Sequence, residues 1–292
     1  MNALRLSAAV LVASLASSFA CATSAPTELR AEFGDFDAAP PPVDAGPQNS
    51  FGEAGKPIEF TGECAEETKQ IFVLGTDKAL YRFNPETLEF KHIGVIGCPS
   101  AAGTFSMAID RRGTAWIEFT DGRLFAVSTF DATCKPTPFV PGQTGFTVFG
   151  MGYAMNDDGK GETLYAAGAG LAALDTTTFE LEFLGSLSFG RTELTGLDNK
   201  LFAFSVGSGV IAGLNKTNAA TEVIYRTTAI NQNAAFAFAQ WGGDFWVFTG
   251  NDMSIVTRYT PATDTSTVVV QNTGMLIVGA GSSTCAPTKP VK

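Results

Sequence analysis

Strand-like runs of small and apolar residues open near Thr104, Thr147, Thr192, Ala234 and Gly274, at intervals of 43, 45, 42 and 40 residues. A period of about 40–45 residues holding four short strands is the length of one propeller blade. Second strands carry a large aromatic, at Phe72, Trp116, Tyr165, Phe202 and Trp246. Third strands follow at Leu80, Leu124, Leu171, Val210 and Ile255. Turns into the fourth strand open on Asn84 or Asp175, whose side chains can bond the backbone two residues on. The first strands are rich in Gly150, Gly152, Gly196, Ala235, Ala237, Ala239 and Gly279, as expected where strands crowd about an axis. No long window keeps the i, i+3, i+4 apolar pattern of a helix. The chain is therefore expected to be all-β, a five-bladed β-propeller of four-stranded blades.

Counting strands also predicts how the ring closes. The first unit has strands at about 70–75, 79–83 and 87–93 but lacks an innermost one, while Met275 to Ala280 is an orphan strand at the far end. Supplying the orphan to the first unit removes the open sheet edge. Cys64 precedes the first unit and Cys285 follows the orphan strand, so closure sets them side by side. Cys98 and Cys134 flank the first and second units and pair by default. The fourth strand of the second unit is expected to approach Phe139.

The N-terminus reads as an export signal over residues 1–22. Arg5 supplies the positive charge, Leu6 to Ala20 the apolar stretch, and Ala20-Cys21-Ala22 a small-residue cleavage site. Two processing routes fit: cleavage near Ala22, or lipidation of Cys21 within Ser18-Phe19-Ala20-Cys21. Residues 23–60 include Pro40-Pro41-Pro42-Val43-Asp44 and have no hydrophobic period, which suits a disordered tether. Residues 61–292 are left for the propeller. No later stretch reaches the ~18 apolar residues of a spanning helix, so any membrane attachment is expected through a lipid anchor alone. Four cysteines beyond Cys21 suit two disulfides in an exported protein, whether periplasmic, outer-membrane-attached or extracellular.

Charge and inventory narrow the chemistry. A net charge of −10 with no basic stripe argues against nucleic acid as a partner. The only histidine, His92, falls in an outer strand, so triad machinery lacks a base and zinc lacks its usual ligands. One face of the ring gathers the loops that enter first strands and join second to third strands. It carries the ligand-binding candidates Asp77, Asp121, Gln143, Arg191, Glu193, Asn231, Asn233, Asn251 and Asp252. Glu193 alone among carboxylates is expected at the strand entrances of the channel, whereas Asp110 and Asp198 end their strands at the opposite mouth. One carboxylate cannot serve as both acid and base for glycoside cleavage. Asn156-Asp157-Asp158-Gly159-Lys160-Gly161-Glu162 faintly imitates a calcium loop through Asp157, Asp158 and Glu162, but its spacing is not that of an EF-hand, and a solvated hairpin explains it.

Ile109-Asp110-Arg111-Arg112-Gly113-Thr114-Ala115-Trp116, followed by Gly122-Arg123-Leu124-Phe125, resembles a blade of the broad NHL, gluconolactonase and PQQ-like propeller group. The order of signal, Pro/Asp-rich linker and propeller is similar to that of exported bacterial lipoproteins. The resemblance implies the fold, and a propeller alone implies no activity. It also implies an alternative to be weighed: a gluconolactonase-like, metal-dependent lactonase or hydrolase, with Glu193, Asn231 and Asp252 offering oxygens to one divalent cation. The first expectation is a monomeric, non-catalytic platform without cofactor, binding a protein, glycan or small ligand.

Overall fold

The computed structural model describes residues 64, 66–227 and 235–291. The expected signal peptide, Cys21, the expected tether and Asn231 and Asn233 lie outside the described residues. Apart from two short 3-10 turns, the described chain is built of twenty strands. Five antiparallel four-stranded sheets result.

The first blade pairs β1 (Ile71–Gly75), β2 (Ala79–Asn84) and β3 (Glu89–Val95), and takes its innermost strand, β20 (Ile277–Ser282), from the far end of the chain. The second blade runs outward from β4 (Thr104–Ile109) through β5 (Thr114–Phe119) and β6 (Leu124–Ser128) to β7 (Cys134–Pro136). The third consists of β8 (Gly150–Met155), β9 (Glu162–Ala167), β10 (Leu171–Leu174) and β11 (Leu181–Gly185). The fourth comprises β12 (Thr192–Leu197), β13 (Lys200–Ser205), β14 (Val210–Leu214) and β15 (Thr221–Arg226). The fifth comprises β16 (Ala235–Trp241), β17 (Asp244–Gly250), β18 (Ser254–Thr260) and β19 (Thr265–Val270). All five second-strand aromatics fall in β1, β5, β9, β13 and β17 as expected.

The closing strand pairs antiparallel with β1, Ile71 opposite Ser282 and Val73 opposite Ala280. It begins two residues later than the sequence pattern suggests. Gly274 takes a left-handed φ of 73°, and the bend that follows gives the Leu276 carbonyl to the Thr76 N–H before pairing begins. Cys64 and Cys285 are bonded with Cα atoms 5.7 Å apart, and Cys98 and Cys134 with Cα atoms 5.2 Å apart.

Apolar side chains collect between blades. Phe72 and Leu74 of β1 join Met107, Ile117 and Phe125 of the second blade, while Ile71 and Val73 turn the other way onto Trp246 and Phe248 of the fifth. Both faces of an inner blade strand are therefore buried, which is why these strands read as continuous apolar runs. One such cluster fills each of the five gaps. The outer strands alternate with solvent instead, as in β15. Among the described residues no helix is long and apolar enough to cross a membrane.

Inner strands of the third and fourth blades touch through their backbones. A Cβ on Gly152 would lie 2.5 Å from the Leu194 carbonyl, and one on Gly196 would overlap the Tyr153 carbonyl oxygen. No side chain larger than hydrogen fits there.

One expectation is corrected. The outer strand of the second blade stops at Pro136 and does not approach Phe139. Pro136, Pro138 and Pro141 have no N–H to donate to a ladder. The connection instead sends Phe139, Phe146 and Phe149 into the gap between the second and third blades.

Candidate functional site

All five inner strands run in one direction, so their entrances share one mouth of the ring. Two adjoining cavities open there, of about 260 Å³ and about 60 Å³. Both are lined by Phe105 of β4, Arg191 and Glu193 at the entrance of β12, and Phe236 of β16. Val278 of β20 completes the smaller one. The guanidinium of Arg191 lies over the Phe236 ring, 5.0 Å from its centroid.

Glu193 forms the floor and is 2% exposed. Its Oε2 accepts a hydrogen bond from Ser106 Oγ at 2.8 Å and a longer one from the Met151 N–H at 3.3 Å. Ser106 Oγ also accepts from Met151 N at 3.0 Å. Burial pushes the Glu193 carboxyl well above its ordinary range, against the opposing pull of these bonds and of Arg191.

Beside it lies a carboxylate that sequence reasoning missed. Glu118 of β5 is fully buried, opposite Ser106 in the strand pairing. Its Oε2 accepts from Phe149 N at 2.8 Å, while its Oε1 has no hydrogen-bond partner among the described residues. Burial first, then the charges of Glu193 and Asp121, raise its pKa to about 9 despite the Phe149 bond. At neutral pH Glu118 is thus protonated, burial shifts Glu193 in the same direction, and the guanidinium of Arg191 lines the mouth with Glu193. The signal for Glu118 was present: a lone charge inside the apolar run Trp116-Ile117-Glu118-Phe119.

The other candidates are placed differently. Asp77 caps its own turn by accepting from Ala79 N, and Asp121 is held by Arg123 at 2.7 Å and by Ser100. Gln143 sits away from the mouth. Its amide bonds the carbonyls of Val140 and Phe179 and the Leu181 N–H, stapling a connection to the outer part of the third blade. Asn251 and Asp252 are exposed at the tip between β17 and β18.

Asp157, Asp158 and Glu162 are not brought together. Asp157 pairs with Lys216 at 2.6 Å, Asp158 accepts from Lys160 N, and Glu162 turns to the Arg111 N–H and the Thr284 hydroxyl. Among the described residues no group of three His, Cys, Asp or Glu side chains could hold a metal ion. At the opposite mouth, Arg111, Glu162 and Thr284 form a half-dry clamp across the second blade, the third and the segment after β20. Asp110 is 1% exposed there, its oxygens spent on the N–H groups of Arg112 and Thr114 and on the Trp116 indole. His92 is exposed on β3, edge-on to Tyr81.

No protein-family model and no curated protein matches this chain. Among solved structures it is similar to a chain of a nidogen/laminin complex, at 12% identity over 73% of this chain and 85% of that one, with a TM-score of 0.44. A protein of unknown function from Bacteroides caccae is similar at 12% identity over 73% and 97%, with a TM-score of 0.42. Glutaminyl cyclase from Myxococcus xanthus is similar at 13% identity over 73% and 75%, with a TM-score of 0.40. The class of the protein, a five-bladed β-propeller, is defined by its own sheet order. Its two disulfides suit an exported protein.

Proposed function

We propose that this protein is a non-catalytic binding platform of the cell envelope or exterior, and that its recognition site is the mouth bounded by Phe105, Arg191, Phe236 and Val278. The observation carrying this reading is the pairing of an open cavity with a floor carboxyl, Glu193, that is 2% exposed and shifted by burial toward its neutral form. Glu193 Oε2 is taken up by Ser106 and Met151, and Glu118 is closed off from solvent. A general acid–base pair needs one ionised and one protonated carboxyl within reach of the substrate. Here burial drives both toward the neutral form. Of the oxygens weighed for a lactonase-type metal, Glu193 is engaged below the mouth and Asp252 stands on an exposed tip.

The test is metal analysis of the exported protein, with lactone and glycoside substrates assayed before and after chelation. No stoichiometric divalent ion and no turnover are expected. Chelator-sensitive turnover that is lost in Glu193→Gln would replace this reading with the lactonase.

A further inference from the structure

Resting on the reading of the mouth as the binding site, we propose that its ligand is a carboxylate attached to one compact apolar body. Recognition would place the carboxylate on Arg191 and the body between Phe105, Phe236 and Val278.

The argument begins with Arg191. Stacking on Phe236 occupies the face of its guanidinium but leaves the in-plane N–H groups, whose fork matches a carboxylate bidentately. Among the described residues no side chain or carbonyl accepts a hydrogen bond from it. Glu193 strengthens the site from below. Its Oε2 is taken up by Ser106 Oγ and the Met151 N–H, and burial shifts the carboxyl toward its neutral form, the form that can donate to an anion. Were Glu193 ionised, it would neutralise Arg191 and repel the ligand. Burial works against this ionisation, and Ser106 and Glu118 of the second blade and Met151 of the third pack about the carboxyl.

The walls select the rest of the molecule. Phe105 and Phe236 line both cavities and Val278 the smaller one, giving an apolar body a surface to cover. A bare inorganic anion would leave the rings uncovered, and a cation would meet Arg191. Size sets the scale. An apolar cavity of about 150 Å³ takes one benzene, and the main cavity is about 260 Å³. One ring with a short acidic arm fits; a drug-sized ligand does not. A free organic acid and the last residue of a peptide share this chemistry.

Calorimetry on the purified exported protein separates the outcomes, using phenylacetate, phenylacetamide, N-acetylphenylalanine and its amide. At least one acid is expected to bind about tenfold or more tightly than its isosteric amide, the difference of a charge-assisted pair. Arg191→Met keeps the length that covers Phe236 and should erase that acid–amide difference, which a folding defect would not do selectively. Tighter binding of N-acetylphenylalanine points to a chain end, and of phenylacetate to a free acid. Equal binding of acid and amide, or failure of both acids to bind, overturns the carboxylate assignment. If the neutral amides bind equally and Phe236→Ala abolishes that binding, the mouth remains the site while this ligand class falls. Chelator-sensitive lactone turnover removes the platform reading itself.

Discussion

Replacing Glu118 with Gln should stabilise the protein, increasingly so as pH rises. Glu118 is fully buried, with one oxygen bonded to Phe149 N and the other without a partner among the described residues. Its pKa moves from 4.5 to about 9 on folding. Below pH 4.5 both states hold the proton and the group costs nothing. Above that, the unfolded chain ionises while the folded one does not, so stability falls until pH passes about 9. At about 1.4 kcal/mol per pH unit, the cost is under about 1 kcal/mol at pH 5, about 3 kcal/mol at pH 7 and about 5 kcal/mol at pH 8. Gln keeps the Phe149 bond and stays neutral throughout. For a ring of this size the gain at pH 7 corresponds to about 6–12 °C in Tm. Thermal unfolding of the wild type and Glu118→Gln from pH 5 to 8 gives the comparison. The two Tm curves should converge near pH 5 and diverge upward. Parallel curves, or a variant less stable at pH 8, would refute the claim that Glu118 is held protonated in the folded ring.

Two further outcomes follow from the closure and from the opposite mouth. Cys285→Ser should lower the unfolding free energy, measured by denaturant titration, by up to about 5 kcal/mol, since Cys64–Cys285 closes a loop with a sequence separation of 221; non-reducing peptide mapping that linked Cys64 to Cys98 would sink the argument. Arg111→Met should cost about 3 kcal/mol by leaving Glu162 buried without its cation, and Glu162→Gln in the same chain should recover part of the loss, as a double-mutant cycle in urea would measure.

The ring was legible because its cues are local and repeated. A spacing near 43 residues, an aromatic in every second strand and small residues in every first strand each follow from packing like blades about an axis. The orphan strand and its cysteine pair were legible for the same reason, to within two residues. The mouth was readable in part. Arg191 and Glu193 fall where strand entrances must converge, so counting strands located them. Glu118 and Ser106 escaped because their role depends on register between strands and on contact across blades. Gln143 misled for the opposite reason: its position in a connection is visible in sequence, but the proline-rich path that carries it outward is a matter of tertiary packing. Asp77 and Asp121 were placed on the expected loops, and their oxygens went to the turns that Asp commonly organises.

The donation of β20 to the first blade sets an order of events during maturation. Until residues 277–282 arrive, β1 presents a bare row of peptide groups, and the halves that must meet lie some two hundred positions apart along the chain. Contacts of such range make assembly slow compared with a helical bundle. An emerging chain therefore has four blades able to form early and one that must wait, with its exposed edge open to wrong neighbours. Oxidation of the cysteines then acts on a nearly finished object whose remaining task is a single docking step. The correct thiol partner of Cys64 comes within reach through that step, so the yield of native protein should depend on the docking of residues 277–285.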